Sequence, residues 1–98
     1  MGDNMSLNKQ NSGFRYNMAK LWETPAAGAE IFYEGVANEV LAAVKSDLKS
    51  AAVTAADRTK LETTQSHVEM LLRHFQGNQE LEPAKIKSIQ DALSGLWS

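Results

Sequence analysis

Two histidines and a methionine, His67, Met70 and His74, are the side chains whose types and spacing come nearest to chemistry in this sequence. On a helix turning about 100° per residue they share one narrow sector, and imidazole with thioether is a donor set for a soft transition metal. The spacing argues against a single ion held by all three. His67 and His74 are separated by about 10.5 Å along a helix axis, whereas helical ligand pairs use i, i+3 or i+4. Met70 and His74 have that spacing but supply only two ligands, so the metal complement expected is none. A methionine flanked by two histidines, exposed on the side away from the Leu61, Val68 and Leu72 stripe, reads instead as part of an interaction face.

Catalytic chemistry finds no better footing. The sequence holds no cysteine, which removes thiolate nucleophiles, disulfides and cysteine-ligated zinc together. It contains no Gly-rich phosphate loop, no His-Glu-x-x-His and no Gly-x-Ser-x-Gly. Glu62 with Glu69, or Asp57 with His67, belong to a solvated helix face unless a cleft gathers them. Neither catalytic residues nor a cofactor are therefore expected. Lys and Arg number 10 against 12 Asp and Glu, a net charge of −2, and the basic residues are dispersed among the acids. No basic stripe would hold a nucleic acid. No apolar run reaches the roughly 20 residues of a membrane span, which excludes stable membrane insertion. The opening Met1-Gly2-Asp3-Asn4-Met5-Ser6 lacks the apolar core of a signal peptide, so a soluble protein of the reducing cytosol is expected.

The elements that must carry these residues are helices. Residues 1–13 are rich in Asn, Ser and Gly and are expected to be a flexible tail ahead of a single helical domain over 14–98. Phe14, Met18, Leu21 and Trp22 fall on one stripe of a short helix over 14–23, with Tyr16 and Lys20 opposite. Thr24 and Pro25 then supply a cap and a first position for a second helix over 25–51. Its core face is Tyr33, Val36, Ala37, Val40, Leu41, Val44 and Leu48, with Glu30 and Glu34 near its start and Lys45 and Lys49 near its end, as the helix dipole favours. Thr54, three residues before Asp57, opens a third helix over 55–76 whose apolar positions are Leu61, Val68, Leu71, Leu72 and Phe75, closed by Gly77. Pro83 opens a fourth, over 83–96, with Ile86, Ile89, Leu93, Leu96 and Trp97 inward. The fold class predicted is all-α: a small three- to four-helix bundle built on an antiparallel hairpin of the second and third helices, with the fourth packed across it and the first capping an end.

Side chains outside these stripes mark the contact surfaces expected. Phe14, Met18, Leu21 and Trp22 form either a detachable binding segment or a helix docked on the protein's own core, and Trp97 has the same two readings. Ile31, Gly35, Asn38 and Ala42 occupy the side of the second helix opposite its main stripe, where small residues would let another helix approach. A chain of this length without disulfide or metal has little core to spare. Association with a protein partner, or self-association as an antiparallel homodimer in which one patch satisfies itself, follows from that.

In size, lack of cysteine and central hairpin the chain is similar in outline to the secreted bacterial family of small helical hairpins that carry Trp-x-Gly at the turn. The turn here, Ala51-Ala52-Val53-Thr54, contains neither residue, and membership is not inferred. The function expected is that of a non-enzymatic helical interaction module: an adaptor, chaperone-like or assembly subunit. A weak nucleic-acid-binding regulator and a small subunit of an enzyme are the alternatives.

Overall fold

The computed structural model describes residues 12–23 and 25–98. They form four helices: α1 (Ser12–Lys20), α2 (Glu30–Leu48), α3 (Ala55–Phe75) and α4 (Pro83–Trp97). Helix α2 packs most extensively on α3, α1 lies along α2, and α4 closes the set against α3 and α1. Cross-links along these seams fix an up-down-up-down order. Gln76 of the α3 C-cap reaches Glu34 at the start of α2, Asn17 of α1 donates to Glu39 of α2, and the Trp97 indole of α4 reaches Thr64 of α3. The first helix thus flanks α2 along its length and does not cap an end of the bundle as the sequence predicted.

The local signals at α3 and α4 act as expected. The Thr54 hydroxyl accepts from the Asp57 N–H at 3.1 Å, and Pro83 sits in the first turn of α4 after an extended Glu82. Gly77, at φ 79°, ends α3: its N–H donates to His74 O and that of Asn78 donates to Arg73 O, the double bond pattern of a Schellman turn. The predicted start of α2 at Pro25 is displaced to Glu30. Gly28 adopts φ 89°, which no α-helix can contain, and its N–H donates to the Glu30 carboxylate at 3.1 Å. The end at residue 51 retreats to Leu48, where the Arg58 guanidinium of α3 donates to Leu48 O at 3.1 Å and to Ser50 O at 3.5 Å. Ser12 and Gly13, assigned to a tail, form the first turn of α1. Residues 1–11 and the proposed Thr24 cap lie outside the described residues.

The core joins Val36, Ala37, Val40, Leu41 and Val44 of α2 to Leu61, Val68, Leu71 and Phe75 of α3, with Met18 of α1, Leu21 in the turn after it, and Ile89 and Leu93 of α4. Leu48 and Leu72, assigned to the apolar faces of the second and third helices, are half-buried at its edge. Thr64 takes a central place instead. It is fully buried, donates to Lys60 O at 2.8 Å and accepts from Trp97 Nε1 at 2.8 Å, so its hydroxyl is satisfied twice.

Candidate functional site

Helical phase decides which side chains this bundle leaves outside. On α2 the core residues span one side, toward α1 and α3; Ile31 in the first turn points away from it, and Phe32 lies at its edge, one turn before Val36. Ile31 is 82% exposed and Phe32 55%. Phe32 stands edge-on to Tyr33 at 5.2 Å, and Tyr33 in turn contacts Phe75 of the core, so the projection rests on a rigid aromatic base. The Tyr33 hydroxyl donates to Glu23 at 3.1 Å. Partial desolvation of the phenol first, and then this bond to a carboxylate, raise its pKa above 10.0. Glu30 and Glu34 lie on the side of α2 away from Phe32, where their carboxylates accept from the Gly28 N–H and the Gln76 amide.

On the opposite side of the ring, α1 and the end of α4 enclose a cleft of about 700 Å³. Its apolar wall is Phe14, Met18, Trp22, Leu96 and Trp97, with Arg15 and Lys60 bringing positive charge to the rim. Trp97 is held by its bond to Thr64, by an edge-on contact with Phe14 at 5.0 Å and by Lys60 Nζ over its ring at 4.3 Å. The Trp22 indole differs. Its N–H is buried and has no hydrogen-bond partner among the described residues. Tyr16 lies 60% exposed at the same rim with Lys20 Nζ over its ring at 5.3 Å, and Glu23 foremost, then Tyr16, raise the Lys20 pKa.

Compared with known proteins, the chain matches no family model, no curated protein and no solved structure. Function has to be read from the surfaces themselves.

The residues singled out in the sequence separate into groups. Phe14, Met18 and Leu21 are buried in the core, which is the docked reading of that helix, and Trp22 and Trp97 are half-buried against it beside the cleft. Gly35 is exposed, and a β-carbon added there would meet nothing within 4 Å. Asn38 and Ala42 border a shallow groove of about 470 Å³ with Leu72 and Arg73 of α3. Met70 is not the exposed methionine expected: it is half-buried and packs on the core. Its flanking histidines are half-buried too, with Nδ1 of His67 at 2.8 Å from Thr63 O and Nδ1 of His74 at 3.2 Å from Gln79 O. A carbonyl only accepts, so Nδ1 carries the proton in each. Among the described residues no group of three or more His, Cys, Asp or Glu is placed to hold a metal, and no helix is long and apolar enough to cross a membrane.

Sequence reasoning passed over Phe32. Periodicity gave no signal for it: Phe32 falls one turn before Val36, about 40° from the core stripe, and its exposure follows from its place in the first turn of α2. The cleft had no linear signal, because its walls come from α1, α3 and α4.

Proposed function

We propose that this chain is a non-enzymatic helical interaction module, of the adaptor, chaperone-like or assembly-subunit kind, and that it meets a protein partner through the first turn of α2. The observation that carries this reading is the exposure of Ile31 and Phe32, 82% and 55%. Single apolar side chains on a surface need no explanation, but two adjacent ones on a rigid aromatic base make a contact patch of the kind that buries on association. Aromatic anchors of this sort supply much of the energy of protein interfaces.

The test replaces Phe32 with a benzophenone amino acid and irradiates cells producing the chain. One discrete covalent adduct is expected, lost when Ile31→Asp is added. No adduct, or a smear indifferent to Ile31→Asp, would count against the reading.

A further inference from the structure

The surface on the first turn of α2 leaves the cleft between α1 and α4 unused. Its opening has a local cause: of the four neighbouring helix pairs these two meet least closely, and on α1 the small Ala19 stands between Arg15 and Trp22 at helical spacing. Phe14 and Met18, 5% and 1% exposed, form the floor, so the surface open to an occupant is that of Ala19, Trp22, Leu96 and Trp97. The two indoles are not held alike. Trp97 is fixed by Thr64, Phe14 and Lys60, whereas no hydrogen bond ties the Trp22 ring, whose buried N–H has no acceptor among the described residues. A buried donor left unpaired favours any state that supplies its acceptor.

Charge at the cleft has one sign. Arg15 and Lys60 line it, and no Asp or Glu does. Lys60 sits over the Trp97 ring, which attracts a cation without neutralising it. Arg15 is exposed and forms no hydrogen bond or ion pair with a described residue, so its guanidinium is open to a ligand. Glu23, which follows Trp22, is engaged by Lys20 and by the Tyr33 hydroxyl. We propose that the cleft binds a small anionic amphiphile, a single carboxylate on an apolar body, with the body against Trp22, Leu96 and Trp97 and the carboxylate on Arg15. Size permits it: the cleft of about 700 Å³ lies within the roughly 300–1,000 Å³ of small-molecule sites, which share its mix of apolar walls and few polar groups. A guanidinium takes a carboxylate through two parallel hydrogen bonds, which fixes the orientation of the body. Trp97 is then the rigid wall and Trp22 the adjustable one, since turning the Trp22 ring toward the occupant brings its N–H toward the carboxylate. This site goes beyond the protein-partner surface and does not depend on it.

Isothermal titration of the full chain with decanoate tests this, followed in parallel by the fluorescence of Trp22 and Trp97, the two tryptophans of the sequence. Saturable binding of one equivalent is expected, with the emission shifting as the indoles are covered. Decyltrimethylammonium, the same chain with the opposite charge, is expected to bind at least about tenfold more weakly. Arg15→Glu, at an exposed position and confirmed folded by circular dichroism, should weaken decanoate by about tenfold or more, whereas Lys85→Glu, an equal change of charge outside the cleft, should leave it unaltered. Trp22→Phe should also weaken it, and Arg15→Glu carries the test if that variant does not fold. Ile31→Asp should bind decanoate like the wild type. Binding that does not saturate, equal affinity for the two amphiphiles, an Arg15→Glu variant that binds decanoate like the wild type, or a loss of binding on Ile31→Asp would each overturn the proposal. The crosslink from position 32 is read without decanoate, so failure here leaves the protein-partner reading standing.

Discussion

Trp22 and Trp97 stand at one cleft with unequal hydrogen-bond accounts, and that difference is measurable. Trp97 Nε1 donates to a fully buried Thr64, whereas the buried Trp22 N–H has no partner among the described residues. A satisfied bond contributes about 0.5–1.5 kcal/mol net, while an unpaired buried donor costs about 1–3 kcal/mol. Trp97→Phe is therefore expected to destabilise the fold by at least about 1 kcal/mol more than Trp22→Phe in urea denaturation. Equal losses would mean that the two indoles have equivalent surroundings. Tyr33 supplies a second residue-scale test. Folding favours its protonated form, so its contribution is fully present below the ordinary value of 10.0 and is lost as pH rises through the higher folded value. In a spectrum of ring-labelled tyrosines, the resonance absent from Tyr33→Phe should titrate above 10.0. A midpoint at or below that value would contradict the partly desolvated phenol and its bond to Glu23. None of these pairings was legible in the sequence, because each joins residues brought together by different helices.

At the scale of elements, the sequence signals with a mechanism of their own were reliable. Thr54, Gly77 and Pro83 satisfy or remove specific end groups of a helix, and each does so in the structure. The start of α2 was not legible, since Ala26, Ala27 and Ala29 favour a helix and only the positive φ of Gly28 interrupts it. The end of α2 was hidden for another reason: the group that stops it, Arg58, comes from α3. Gly35 tests the opposite case, a glycine inside a helix with no contact that demands it. A β-carbon there meets open space, so Gly35→Ala should stabilise the dilute chain by about 0.5–1 kcal/mol through the reduced entropy of the unfolded state. A higher midpoint of urea unfolding at constant slope is the expected result. Destabilisation would imply that another helix approaches α2 at this point.

Across the whole molecule, the all-α class and the α2–α3 hairpin followed from periodicity alone, and so did most of the core. The candidate site was half legible. Ile31 stood out because it missed the core phase, but its neighbour Phe32 and the cleft across the ring required knowing which helices touch. Ile31 and Phe32, on the proposed function, serve association and contribute little to folding. That separates two quantities which a shared role would tie together, and thermal unfolding over a concentration series reads both at once. Association that favours the native state raises the melting temperature as concentration rises. The wild type should therefore melt higher when concentrated, while Ile31→Asp with Phe32→Asp should melt at one temperature throughout, equal to that of the dilute wild type. A wild type whose melting temperature is independent of concentration, or a variant whose melting temperature climbs alongside it, would contradict the account.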